Sequence, residues 1–267
     1  MEGAYSALKG ILRDIGPCLV AFSGGVDSTF LLKVAHDVLG DGVTAATAIS
    51  SSLAASERHE TETLARLIGA RHLRVRTDEI DDPRYVRNDG ARCYYCKSEL
   101  FRVLKALVSS AGGGTIVYGA ITDDLGDDRP GMRAAAEAGV RAPLIEAGLN
   151  KRMIRILSMR LGLPTWNKPA MACLASRIPR LVPVTRGALL QIERAEAAVR
   201  ALGYGQVRVR MQGDGARVEL DRNGLRRSHS PLERRRLIEA VLSAGFEQVV
   251  VDPQGYRPGG RPPAPPA

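Results

Sequence analysis

The chain has 267 residues, 45% hydrophobic, 25% charged and only 4% aromatic, the balance of a soluble globular protein whose core is aliphatic. Its opening, MEGAYSALKGILRDIG, lacks a basic region followed by an apolar run, and no apolar run approaches a membrane span, so the cytoplasm is the expected location. Four cysteines in that reducing setting read as metal-binding, catalytic or buried groups, and a net charge of +9 suits a nucleotide as well as a nucleic acid.

CLVAFS (18–23) reads as a buried strand, followed by the amphipathic helix DSTFLLKVAHDVLG, which ends at Gly40. VTAATAIS (43–50) is the next expected strand, and SERHETETLARLIGA (56–70) the next helix, with Ser56 as its N-cap. HLRVRTDEI (72–80) follows as a third strand, SELFRVLKALVSSAG (98–112) as a third helix and TIVYGAI (115–121) as a fourth strand. Helices of this length between strands imply parallel pairing with right-handed crossovers, hence an α/β fold with a doubly wound parallel sheet. Beyond LGLPTWNKPAMACLASRIPR (161–180) the pattern changes. A helix (187–203), two strands about a Gly-Asp-Gly turn (205–220), a helix opened by Ser-Pro (227–245) and a last strand (247–256) imply a second, smaller α+β domain. The expected division is a first domain at 1–178, a small domain at 179–256 and a Pro/Gly-rich tail at 257–267 that cannot pack.

SGGVDST, from Ser23 to Thr29, lies between the first strand and the first long helix. Gly24 and Gly25 allow a tight turn with exposed N–H groups, and Ser28 and Thr29 add hydroxyls at a helix N-terminus whose dipole favours an anion. The loop lacks the Gly-Lys-Ser/Thr ending of a Walker loop, which argues against a motor or kinase. A plain glycine turn with Asp27 as a helix cap is the bland alternative. The motif resembles the SGGxDS pyrophosphate-binding PP-loop of the N-type ATP pyrophosphatases. That resemblance implies cleavage of ATP between the α and β phosphates, with Ser23, Gly24, Gly25, Asp27, Ser28 and Thr29 around the phosphates and Mg²⁺ shielding them.

Further segments point to one branch of that superfamily. DRPGMRAAAEAGVRAPL (128–144), TWNKPAMACLASRIP (165–179), GQVRVR and GYRPG (255–259) are similar to segments of the LarE family. This resemblance covers nearly the whole chain. It implies an ATP-dependent sulfurtransferase that adenylates a carboxylate of pyridinium-3,5-biscarboxylic acid mononucleotide and makes a thiocarboxylate, in nickel-pincer nucleotide cofactor synthesis. Arg208 and Arg210 alternate along one strand and so share a face; with Arg257 they resemble the family's pocket for the mononucleotide phosphate, a role suited to forked guanidinium donors. Glu219, on the partner strand, is placed at the same interface. Asp128 and Arg129, after the fourth strand, fall at the sheet edge where α/β proteins bind ligands. The expected partners are the mononucleotide, sulfide or another sulfur donor, and further copies of the chain, with no membrane.

ARCYYCKSELF (91–101) holds Cys93 and Cys96, a spacing shared by zinc knuckles, redox dithiols and ordinary helices. One LarE subgroup uses a single sacrificial cysteine near Ser-Ser-Arg and lacks the Cys-x-x-Cys. Here Ala172 takes that cysteine's place and Cys173 follows it, so the chain resembles the three-cysteine branch. The resemblance implies a [4Fe–4S] cluster on Cys93, Cys96 and Cys173, with Lys97 completing the candidate catalytic set. Cys18 opens a buried strand and reads as a core residue. Trp166 and the pair Tyr94 and Tyr95 read as packing groups. A PP-loop tRNA thiolase with a three-cysteine cluster is the alternative; no RNA-binding module is recognisable, which argues against nucleic acid as the partner.

Overall fold

The computed structural model describes residues 1–126 and 129–257. The described residues divide into two compact units: Met1–Tyr85 with Asp89–Met171, and Val86–Asn88 with residues 172–257.

The first unit carries α1 (Glu2–Ile15), β1 (Cys18–Ala21), α2 (Val26–Leu39), β2 (Val43–Ile49), α3 (Ala55–Ile68) and β3 (Arg71–Arg76). The short α4 (Pro83–Val86) leads to α5 (Arg92–Ser110), then β4 (Thr115–Tyr118), α6 (Pro130–Glu137), α7 (Pro143–Glu146) and α8 (Lys151–Arg160). The sheet order is β3-β2-β1-β4, and every pairing is parallel. Successive residues of a buried strand feed opposite faces. Val20 joins Leu8, Leu12, Phe30, Leu31, Leu64, Leu144 and Ile154 in one apolar cluster. Leu19 joins Ala46, Leu100, Phe101, Leu104, Ile116 and Ala135 in another. Helices α1, α2, α3 and α8 therefore cover one face of the sheet, and α5 and α6 the other. The expected doubly wound sheet is the observed one. From β1 the chain moves outward to β2 and β3, then crosses back to β4, so the strand order reverses between β1 and β4. Beside such a switch point the carboxyl ends of the strands open a crevice for ligands.

Two local expectations need correction. Ser56 is not the cap of α3: Ala54 holds the N-cap position, with no side-chain hydrogen bond, and Ser56 lies in the first turn. Helix α5 begins at Arg92 rather than Ser98, which puts Cys93, Cys96 and Lys97 inside the helix.

The second unit carries α9 (Arg186–Ala201), β5 (Val207–Gln212), β6 (Gly215–Leu220), α10 (Arg222–Arg227), α11 (Pro231–Leu242) and β7 (Gln248–Val251). β5 and β6 form an antiparallel hairpin, and β7 runs parallel to β6. Helix α10 is an addition to the expected order; Asp221 caps it by accepting from the Gly224 N–H at 2.7 Å. Asn88, almost fully buried, ties its short segment to this unit by donating to the carbonyls of Pro179 at 2.7 Å and Val182 at 2.9 Å. Among the described residues no helix is long and apolar enough to cross a membrane.

Candidate active site

The loop between β1 and α2 is held by contacts that leave little room for other residues. Gly24 has φ +68°, and a Cβ there would lie 2.9 Å from Thr61 Cγ2. A Cβ on Gly119, just past β4, would lie 2.9 Å from the Ser28 nitrogen and 3.2 Å from the Asp27 carbonyl carbon, both backbone. Sequence reading missed Gly119; its only signal was a glycine at the end of a buried strand. The Ser23 and Ser28 hydroxyls are 3.0 Å apart, and Ser28 Oγ also receives the Ser23 N–H at 3.3 Å. Gly25 N donates to Ser23 Oγ at 3.4 Å. Thr29 is fully buried, its N–H bonded to the Gly25 carbonyl at 2.9 Å and its hydroxyl without a partner.

Two lysines that sequence reading passed over reach this loop. Lys151, at the start of α8, places Nζ 2.5 Å from Asp27 Oδ2. Asp27 Oδ1 is buried with no hydrogen-bond partner. Burial pushes the Asp27 carboxyl above the usual range, Lys151 pulls it down, and Asp124 adds a smaller push upward. Lys168 donates to the Gly24 carbonyl at 3.0 Å and pairs with Glu60 at 2.6 Å.

Cys93 and Cys96 lie one turn apart at the start of α5, Cys93 exposed and Cys96 half-buried. Neighbouring helices hold this end. The Tyr94 hydroxyl donates to Glu137 at 2.5 Å while Arg133 lies over its ring, and Arg84 lies over the Tyr95 ring. The bond to Glu137 raises the Tyr94 pKa. At the start of α6, a Cβ on Gly131 would sit 3.1 Å from Lys97 Cγ and 3.7 Å from the Cys93 carbonyl. The Pro-Gly pair and the Cys-x-x-Cys-Lys segment thus pack as one corner. Arg129 forms an ion pair with Asp124. Asp128 lies outside the described residues.

Cys173 belongs to the second unit, exposed at the head of a short 3₁₀ turn, Leu174–Arg177. Arg177 holds that turn: its Nη1 donates to the carbonyls of Ala172 at 2.5 Å and Cys173 at 2.8 Å, while Nε and Nη2 engage Glu196 at 2.8 and 3.2 Å. Cys18 is buried, and burial pushes its thiol up to about 11. Among the described residues no three His, Cys, Asp or Glu side chains gather as a metal site.

The second unit also holds the three expected arginines. Arg208 is buried against the Tyr256 ring, and burial first, then the neighbouring Arg177, lowers its pKa. Arg210 Nε donates to Glu219 Oε1 at 2.6 Å and its Nη1 to the Ser176 carbonyl at 3.0 Å. Arg257 pairs with Asp252 at 3.2 Å. Arg217, which sequence reading missed, links the two pairs: it lies 3.1 Å from Glu219 and 3.7 Å from Asp252. Arg210, Arg217 and Arg257 against Glu219 and Asp252 leave this cluster cationic, with Arg208 two residues from Arg210 on β5 and under the charges of Arg177 and Glu196. Glu219 Oε2 remains buried without a partner.

The fold and loop define an α/β protein of the PP-loop class. No family model matches the chain. It is 40% identical over 259 residues to an uncharacterised protein of Synechocystis, covering 97% of each chain. It is 36% identical over 255 residues to the pyridinium-3,5-bisthiocarboxylic acid mononucleotide synthase of Lactiplantibacillus plantarum, covering 95% of this chain and 92% of that one. An uncharacterised protein of Methanocaldococcus jannaschii is 26% identical over 239 residues, 90% of each. The chain belongs to the LarE family, that of the pyridinium-3,5-bisthiocarboxylic acid mononucleotide synthases.

Proposed function

We propose that the chain is an ATP-dependent sulfurtransferase that converts a carboxylate of pyridinium-3,5-biscarboxylic acid mononucleotide to a thiocarboxylate, in nickel-pincer nucleotide cofactor synthesis. The observation that carries this reading is the near full-length similarity to the bisthiocarboxylic acid mononucleotide synthase. A substrate carboxylate oxygen attacks the α-phosphorus of ATP, and pyrophosphate leaves with the electron pair of the bond that breaks. The acyl carbon then carries AMP, a good leaving group. Sulfide adds to that carbon, the C–O bond to AMP breaks, and a C–S bond stands where C–O stood.

The loop geometry supports the first half. Backbone N–H groups and hydroxyls of Ser23, Gly24, Gly25 and Ser28, at the N-terminus of a 14-residue helix, suit the phosphates. Asp27 fits Mg²⁺, a hard cation that takes carboxylate oxygen, because its Oδ1 is buried and unpartnered. The cationic cluster of Arg208, Arg210, Arg217 and Arg257 suits the mononucleotide phosphate, and Arg129, at the N-cap of α6 and paired with Asp124, is a further candidate cation.

For the second half we assign sulfur delivery to a [4Fe–4S] cluster on Cys93, Cys96 and Cys173. What supports the assignment is exposure: Cys93 and Cys173 are exposed and Cys96 half-buried, whereas Cys18 is buried and stays protonated. Bound at three corners, such a cluster would supply one iron position open to sulfide. Lys97, one residue beyond Cys96 on α5, would supply the cation of the catalytic set. An anaerobic assay with ATP, Mg²⁺, sulfide and the biscarboxylic mononucleotide, followed by mass analysis, tests the reading. Sulfur in place of oxygen with release of pyrophosphate is the expected result. Pyrophosphate release without sulfur gain overturns the transfer step, and no release at all overturns the activation step.

A further inference from the structure

We infer that Lys168 is a cationic ligand of the nucleotide's β and γ phosphates, an inference that rests on the ATP reading above. The segment TWNKPAM has no other assigned purpose, and its lysine is the residue that reaches back to the loop. Its base is fixed. Arg155, on α8, donates through Nη1 to the Trp166 carbonyl at 2.8 Å and through Nη2 to the Lys168 carbonyl at 2.9 Å. The Lys168 N–H closes a turn on the Thr165 carbonyl at 3.0 Å, and Thr165 is buried. From this rigid base a flexible four-carbon arm carries a compact point charge.

The ammonium's partners are replaceable. One is the neutral Gly24 carbonyl at 3.0 Å, in the loop itself. The other is Glu60 at 2.6 Å, a side chain 40% exposed, and exposed ion pairs add little stability. A bound triphosphate or pyrophosphate carries several charges and competes well against both. Lys151, by contrast, is engaged with Asp27 at 2.5 Å. Lys168 can therefore exchange the carboxylate for phosphate oxygen by rotating its arm, with no change in backbone. When the α–β bond breaks, negative charge grows on the departing bridging oxygen. A cation already placed there stabilises it more than it stabilises bound ATP, which raises turnover as well as affinity.

The test is calorimetric binding of ATP and of inorganic pyrophosphate, each with Mg²⁺, to the full chain and to K168M, K168R and E60Q. Loss of one charge-assisted contact predicts ~10- to 100-fold weaker pyrophosphate binding by K168M. K168R should stay within a few-fold of the unsubstituted chain. E60Q should bind pyrophosphate at least as tightly, since it frees the ammonium. K168M binding like the unsubstituted chain overturns the inference. So does equal weakening in E60Q and K168M, because Lys168 would then act only as a structural clamp. If the unsubstituted chain binds neither ATP nor pyrophosphate, the ATP reading itself fails and the inference with it.

Discussion

Replacing Arg177 by Met tests how the exposed Cys173 is held. Arg177 and Glu196 are each buried to within 1% exposure. The substitution removes two bonds to Glu196, two to the carbonyls of Ala172 and Cys173, and one to Ser176 Oγ at 3.0 Å. Cys173 is exposed, so water can replace much of the carbonyl loss. Glu196 cannot be so relieved. Removing one partner of a buried ion pair costs about 3–5 kcal/mol, because the remaining charge is stranded. Here Glu196 keeps the Val209 N–H at 3.1 Å and Arg200 at 2.7 Å, which places the cost near the lower figure. Loss of Arg177 also relieves Arg208, whose pKa it helps depress. The expected penalty is ~3 kcal/mol, read as a lower denaturant midpoint at unchanged slope. In a double-mutant cycle with E196M, the pair should cost clearly less than the sum of the singles. A penalty below ~1 kcal/mol, or strict additivity, would refute the stranded-charge reasoning.

Two further outcomes follow from packing and burial. Gly119→Ala should cost about 1–3 kcal/mol, since its methyl meets the backbone of Ser28 and Asp27 rather than a flexible side chain; unchanged stability together with unchanged pyrophosphate binding would show that the contact constrains nothing. Cys18, pushed from 9.0 to about 11 by burial, keeps its proton in the folded chain after the unfolded chain has lost it. The unfolded state then binds fewer protons, so stability falls as pH rises from about 9 to 11, by roughly 2–3 kcal/mol in all, and Cys18→Ala should remove that fall.

The parallel sheet was legible because buried strands and amphipathic helices carry different periods, and α/β connectivity leaves few topologies. The start of α5 was not. Residues Arg92–Lys97 show no apolar period, and the N-cap Ala91 makes no side-chain cap; what holds them helical is tertiary, through Tyr94 with Glu137 and Tyr95 with Arg84. The glycine loop was legible as a motif, but its lysines were not. Lys151 is 124 residues from Asp27, and Lys168 is 144 residues from Gly24. Nothing local in either segment signals such a contact. Arg217 escaped for a different reason. It faces Arg210 across the hairpin, a register set by the turn and invisible in either strand alone.

The charged groups of the two candidate anion sites share a common economy. At the loop, Lys151 and Lys168 are matched by Asp27, Glu60 and a carbonyl oxygen. In the second unit, Arg210, Arg217 and Arg257 are partly offset by Glu219 and Asp252. Binding an anion at either place exchanges carboxylate partners for phosphate oxygen, and in the second unit it can also satisfy Arg217 Nε, which is buried without a hydrogen-bond partner. Such an exchange yields less net affinity than the count of cations suggests, because carboxylate contacts are lost as phosphate contacts form. It also spares the unliganded chain the cost of burying unpaired cations. If both places bind anions as proposed, selectivity would follow charge number: a monovalent anion would gain little over Glu60 or Asp252, whereas a polyphosphate or phosphate dianion would gain the difference. A net charge of +9 is thus compatible with a site that ignores ordinary small anions and answers to nucleotides.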